Sequence, residues 1–134
     1  MLIDANAIVN IIDSQQPRSA EFRAKFQALR PPTVTTWAAC AEAMSLLAQI
    51  GGWSLQCKLW ELIQAGLLRL HFADETEQRR MAELMEEYQD RPMDLANASL
   101  VAASETLSEP RILTQDSDFY LYQRFGHSPF EVIP

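Results

Sequence analysis

The chain has 134 residues, 48% of them hydrophobic, and a formal net charge of -7. This length and apolar content predict a single domain over residues 1–134 with a sizeable core. The negative net charge argues against sequence-independent binding of nucleic acid, which needs many Lys and Arg residues. A bound divalent cation would nevertheless make the local charge positive wherever carboxylates cluster. No apolar run approaches membrane-spanning length and no charged leader precedes Asp4, so we expect a cytoplasmic protein without membrane contact.

The first part of the chain predicts a strand, a turn and a helix in quick succession. Three apolar residues run straight into Asp4, and a helical apolar pattern then continues to about Asp13. A second helix is predicted from about Arg18 to Leu29, where the segment Arg30–Pro32 stops it.

The rest of the chain alternates between predicted strands and helices. Thr36 is expected to cap a helix whose apolar face comprises Trp37, Cys40, Ala41, Met44, Leu47 and Ala48. Further helices are predicted over residues 53–67, 75–88 and 95–107, and further strands over residues 33–35, 68–72, 111–114 and 130–133. Continuous apolar strands separated by helices are typical of a parallel sheet covered on both faces, so the predicted fold class is α/β.

Two predicted strands end in carboxylates. Asp4 follows the first strand, and Asp116 and Asp118 follow the fourth. Ligands of open α/β sheets bind outside the carboxyl ends of the strands, so these acids are candidate site residues. Each has a simpler explanation, since Asp4 or Asn6 could cap the next helix and an Asp-rich segment could be an ordinary turn. Because several acids gather at one edge of the predicted sheet, we favour a ligand-binding site there.

Three more residues are candidates for the same site. Asp94 and Asn97 open the helix before the fourth strand and share one face of its first turn, although capping alone could explain Asp94. Glu42 lies among small residues on its helix, which leaves room for a substrate, and the alternative is an ordinary solvated glutamate.

Converging carboxylates without histidine or thiolate suit a hard cation, Mg²⁺ or Mn²⁺. Such an ion activates water and neutralises charge on phosphorus, so the pattern predicts metal-assisted hydrolysis of a phosphodiester. Neither His71 nor His127 has a motif around it, and neither is given a role.

Four segments together resemble the ordered acidic motifs of PIN-domain ribonucleases, in particular VapC-like toxins of bacterial toxin–antitoxin pairs. These segments are LIDANAIV, the Ala-rich helix with Glu42, MDLANASLVAASE and ILTQDSDF, and they cover essentially the whole chain. The resemblance implies a three-layer α/β/α fold, Mg²⁺- or Mn²⁺-dependent endoribonuclease activity, a homodimer and a cognate antitoxin. Asp4, Glu42 and Asp116 match three family acids, and Asn6, Thr114 and Asp118 match polar positions around them.

The chain departs from the family pattern at its fourth acid. Where the pattern has an aspartate, this sequence has Asn97, and Asp94 lies one turn earlier. We therefore expect a metal held by Asp4, Asp94, Asn97 and Asp116, more weakly than with an aspartate at position 97. The alternative is a catalytically weakened module of the same fold that binds RNA or an antitoxin. A phosphotransfer or phosphatase domain is disfavoured, because such folds use a lysine late in the chain and only Lys25 and Lys58 are present.

Two apolar stripes predict self-association. The stripes comprise Trp53, Leu59, Trp60 and Ile63 on one helix, and Met81, Leu84 and Met85 on another. They hold more large hydrophobic side chains than one small core accommodates, so we expect a homodimer, although both stripes could instead face the sheet.

Overall fold

The computed structural model describes residues 1–29 and 33–134, and the predicted helix stop at residues 30–32 lies outside them. The strands are β1 (Leu2–Ile3), β2 (Thr33–Thr36), β3 (Leu68–His71), β4 (Arg111–Leu113), β5 (Gln123–Arg124), β6 (Ser128–Pro129) and β7 (Glu131–Ile133). The helices are α1 (Ala5–Ile12), α2 (Ser19–Ala28), α3 (Trp37–Gly51), α4 (Trp53–Gln64), α5 (Glu75–Glu87) and α6 (Leu95–Thr106).

A five-stranded sheet in the order β3-β2-β1-β4-β7 forms the centre of the fold. Every neighbouring pair in it is parallel, which confirms the predicted α/β class. The ends of β1 and β4, where Asp4 and Asp116 were predicted to meet, are adjacent because β1 pairs directly with β4. A short antiparallel pair, β5 with β6, was not predicted.

Helices cover both faces of this sheet. Ile3 and Leu113 point into a core formed with α1, α2, α3 and α4. Their neighbours Leu2 and Ile112 point into a second core formed with α5 and α6. Successive strand residues therefore face opposite cores, which explains why the strands are apolar without alternation.

Two sequence expectations about apolar stripes were wrong in part, although Cys40 and Leu47 of the expected α3 face are buried. In α3, small residues pack inward: Ala39 and Ala43 are fully buried, whereas Trp37 is 49% exposed. Leu59, Met81 and Leu84, expected on dimerisation stripes, are instead buried in the two cores. Helical periodicity defines a face but does not say which neighbour covers it. Trp53 and Trp60 stay exposed on α4.

The part of the chain that the structure describes holds no helix both long and apolar enough to span a bilayer.

Candidate active site

Asp4 both ends β1 and caps α1. Its backbone N–H donates to Leu113 O at 3.1 Å, which holds the end of β1 against β4. Its Oδ1 accepts from Ala5 N at 2.6 Å. The two interpretations of Asp4 from the sequence therefore coexist, because the cap lies at the carboxyl edge of the sheet.

The hydroxyl of Thr114 connects Asp4 with Asp116. Thr114 Oγ1 donates to Asp4 Oδ2 at 2.7 Å and accepts from Asp116 N at 2.9 Å. Thr114 is fully buried directly after β4, and its N–H donates to Ile133 O of β7. One side chain anchored in the sheet thus fixes the positions of both acids.

Asn97 orients the second carboxylate. Its Nδ2 donates to Asp116 Oδ2 at 3.0 Å and to Tyr122 Oη at 3.3 Å. Its backbone N–H donates to Asp94 Oδ1 at 2.7 Å, so Asp94 is the N-cap of α6. The expected capping role of Asp94 is confirmed, and α6 carries Asn97 to Asp116.

Asn6 and Asp118 complete the surroundings of the two acids. Asn6 Nδ2 donates to Asp4 Oδ2 at 3.0 Å, and Gln115 N donates to Asn6 Oδ1 at 3.1 Å. Asp118 N donates to Asp116 Oδ1 at 2.9 Å, which makes Asp116 the cap of a short 3-10 helix over Ser117–Tyr120. The side chain of Asp118 accepts from Arg91 at 2.7 and 3.0 Å.

The acids of this site repel one another. Burial raises the pKa of Asp4 to about 6, hydrogen bonds from Thr114 and Ala5 oppose the shift, and the charges of Asp116 and Asp94 add to it. Glu42 lies on the exposed surface of α3, and its pKa is raised by partial burial and then by the charges of Asp94, Asp4 and Asp116. The structure thus brings all four acids into mutual electrostatic range.

The site residues offer oxygen ligands, which a hard cation such as Mg²⁺ or Mn²⁺ prefers. Asp4, Asp94, Asp116 and Glu42 offer carboxylate oxygens, and Asn97 offers an amide oxygen. Burial is the main cause of the raised pKa of Asp4, and a cation would offset the smaller contribution from the charges of Asp116 and Asp94. Among residues 1–29 and 33–134, however, no group of three His, Cys, Asp or Glu side chains forms a ready-made metal site. Asn97 directs its amide hydrogens, not its oxygen, at Asp116.

Two residues of this region were missed by sequence reasoning. Tyr122 is almost fully buried and receives a hydrogen bond from Asn97. Burial, with smaller contributions from Asp118, Asp116 and Asp94, raises the pKa of Tyr122 to about 12, and the hydrogen bond from Asn97 opposes this shift. Arg91, in the segment after α5, forms an ion pair with the carboxylate of Asp118. Neither residue lies in a sequence motif, so only the folded chain identifies them.

Comparison with known proteins gives one family and several similar structures. The family model described as PIN domain matches residues 1–124. No curated protein sequence matches the chain significantly.

Solved structures share the fold at low sequence identity. Mycobacterium tuberculosis VapC20, described as a sarcin-ricin loop cleaving toxin, superposes with a TM-score of 0.81 at 13% identity, over 87% of this chain and 90% of that chain. A toxin-antitoxin complex from Klebsiella pneumoniae gives 0.68 at 16% identity, over 99% and 95% of the two chains. FitAcB from Neisseria gonorrhoeae gives 0.63 at 18% identity, over 87% of each chain.

Proposed function

This chain belongs to the PIN domain family, and we propose that it is a metal-dependent endoribonuclease that serves as the toxin of a toxin–antitoxin pair. The observation that carries the proposal is the pair of carboxylates, Asp4 and Asp116, held at one sheet edge by the hydroxyl of Thr114. The fold similarity to VapC20, a toxin described as cleaving the sarcin-ricin loop, supports RNA as the substrate class.

We assign a role to each residue of the site. Asp4, Asp94, Asn97 and Asp116 would hold Mg²⁺ or Mn²⁺, and Glu42 would act as the remaining catalytic acid. When bound, the cation lowers the pKa of a water molecule and neutralises charge on the phosphodiester. Asn6, Thr114 and Asp118 fix the two central carboxylates through the hydrogen bonds described above.

The hydrogen bond from Asn97 to Asp116 favours a second candidate function. It satisfies a carboxylate oxygen in the absence of any metal, and asparagine brings no negative charge to the site. A module with weakened catalysis that binds RNA or an antitoxin is therefore the alternative.

The proposed partners follow from the same assignment. A toxin-antitoxin complex is among the similar structures, which supports a cognate antitoxin. We also propose a homodimer, formed through the exposed Trp53 and Trp60 of α4. With RNA as the proposed substrate, we propose that the protein acts in the cytoplasm.

An assay for cleavage of structured RNAs, run once in Mn²⁺ and once in EDTA, tests the proposed nuclease activity. We expect cleavage only with the metal, and a loss of about 100-fold or more in Asp4→Ala and Asp116→Asn, since the cation contributes several kcal/mol of charge stabilisation. Asp90→Asn, which removes an exposed acid in the turn after α5, is the matched control and should cleave like the parent. Circular dichroism and melting verify that each variant is folded.

The outcomes separate the two candidates. Equal cleavage by the parent and both site variants would mean that Asp4 and Asp116 are not catalytic. RNA binding without cleavage under any metal condition would favour the binding module.

A further inference from the structure

Trp37 and Phe72 form an exposed aromatic pair at the carboxyl edge of the sheet. Their ring centroids are 5.4 Å apart with an interplanar angle of 29°, and the side chains are 49% and 61% exposed. They flank a pocket of about 210 Å³ whose other walls include Ala38, Ala73 and Met81. We call this feature the aromatic pocket. Two large stacked aromatic side chains left this exposed are unusual for a face that has only a structural role.

The hydroxyl groups of Thr36 and Ser99 and one ring nitrogen of His71, all beside the aromatic pocket, are paired within the protein. Thr36 Oγ1 and Ser99 Oγ are 2.6 Å apart, and Thr36 Oγ1 also accepts from Ala39 N. His71 Nε2 lies 2.8 and 3.0 Å from the two carboxylate oxygens of Glu77. What the pocket presents to a ligand is therefore mostly flat apolar surface, which recognises a ligand mainly by stacking.

The aromatic pocket lies at the same edge of the sheet as the acidic site. Trp37 directly follows β2, which pairs with β1 in the register Leu2 with Val34, and Thr35 Oγ1 donates to Ile3 O at 2.8 Å. Since neighbouring strands lie about 5 Å apart, the pocket is roughly one to two strand spacings from Asp4. On α3, Ala38 in the pocket wall lies one turn before Glu42 on the same face.

The size and charge of the pocket favour a single flat neutral group. Its volume is below the ~300 Å³ at which pockets for drug-sized ligands begin. A partner helix or strand needs a groove that accommodates several anchor side chains, and this pocket accommodates one planar group. Among the described residues, the pocket wall holds no Lys or Arg for a phosphate, and its histidine, His71, is paired with Glu77. An unpaired RNA base, in contrast, has a neutral π-face that stacks on aromatic side chains.

We propose that Trp37 and Phe72 form a stacking site for one unpaired base of the RNA, at the same sheet edge as the acidic site, and so help to select the position of cleavage. This inference rests on the proposed ribonuclease function. It adds a specificity element outside the four acidic motifs.

Binding of a fluorescein-labelled single-stranded RNA 12-mer, followed by anisotropy in EDTA and in Mg²⁺, tests the stacking site without requiring cleavage. Stacking contributes about 1–3 kcal/mol per base, so Trp37→Ala should weaken binding about 5- to 150-fold. Trp37→Phe keeps an aromatic ring and should lose much less RNA affinity. Phe125→Ala removes an exposed aromatic ring whose backbone N–H contacts Glu105 near the far end of α6, and should bind like the parent.

A series of 12-mers, each lacking one base, makes the test specific. The penalty of Trp37→Ala should vanish for the RNA that lacks the stacked base and persist for the others. An undiminished affinity of Trp37→Ala, or a penalty that is the same for every abasic RNA, would overturn the proposal. A variant that binds RNA normally but no longer binds an antitoxin would show that the pocket accommodates a protein side chain instead.

Cleavage assays on the same proteins separate this inference from the proposed function. If the parent cleaves RNA and Trp37→Ala cleaves the same RNA at the same rate and position, the stacking site is wrong and the nuclease stands. If Trp37 contributes to binding but the parent never cleaves, the nuclease is wrong and the stacking site stands. A parent that binds no RNA under either condition contradicts both.

Discussion

Asn97 donates its side-chain amide to Asp116 Oδ2 at 3.0 Å, where the family resemblance expects an aspartate. The amide supports the acid in the metal-free protein but contributes no charge toward a cation. Asparagine at position 97 therefore favours the stability of the metal-free protein, whereas aspartate there would favour metal binding.

Asn97→Asp should destabilise the metal-free protein and bind Mn²⁺ more tightly. In EDTA the change replaces a hydrogen bond to a carboxylate with two facing carboxylates, which should cost about 2 kcal/mol of unfolding free energy. Mn²⁺ should raise its melting temperature more than that of the parent, and RNA cleavage should rise. Asn97→Ala loses the same hydrogen bond without adding charge, so Mn²⁺ should not restore its stability. An unchanged Mn²⁺ affinity in calorimetry would show that position 97 does not face the metal.

Asp94→Asn should weaken Mn²⁺ binding and cleavage while leaving the fold intact. Asparagine caps helices as well as aspartate does, so only the charge is removed. Asp74 caps α5 in the same way, with Glu77 N donating to its Oδ1 at 2.9 Å, which makes Asp74→Asn the matched control. Calorimetric titration with Mn²⁺ should separate the two variants, and equal affinities would remove Asp94 from the metal site.

Thr114→Val should reduce both stability and cleavage, and Thr114→Ser should restore most of each. Valine keeps the shape but leaves Asp116 N and Asp4 Oδ2 without their shared partner, a cost of about 1–3 kcal/mol. Urea unfolding and RNA cleavage measure the two effects. Normal cleavage by a folded Thr114→Val protein would show that the bridge does not position the acids.

The metal-free protein should lose stability as pH rises from about 4 to 6, because the folded state holds a proton on Asp4 that the unfolded state has already released. The pKa of Asp4 rises from 3.8 to about 6, which corresponds to about 3 kcal/mol. Urea unfolding in EDTA across this range should show a smaller decline for Asp4→Asn than for the parent. Comparing slopes removes the constant cost of the substitution. Parallel slopes would contradict the raised pKa.

Trp53→Asp should convert the proposed homodimer into a monomer. A charge in an apolar interface is costly to desolvate, and Trp53 is 67% exposed in the single chain. Sedimentation at micromolar concentration should show a dimer for the parent and for Trp37→Asp, which alters a different exposed tryptophan. A monomeric parent would rule the dimer out.

The order of the elements and the edge at which the acids lie were predictable from the sequence. Apolar runs that end in Asp4 and near Asp116 fix two strand ends, and parallel strands separated by helices bring such ends to one edge. The capping roles of Asp94 and Thr36 were also predictable, because capping depends on residues within one turn.

Only the tertiary structure decided which groups meet across that edge. Thr114 contacts Asp4 from 110 positions away and Asn97 contacts Asp116 from 19 positions away, distances at which local pattern carries no information. The exposure of Trp37 likewise depends on tertiary packing. Ala39 and Ala43 of α3 are fully buried, whereas the large ring of Trp37 remains exposed at the surface. Periodicity records which side chains share a face, whereas burial depends on what packs against that face.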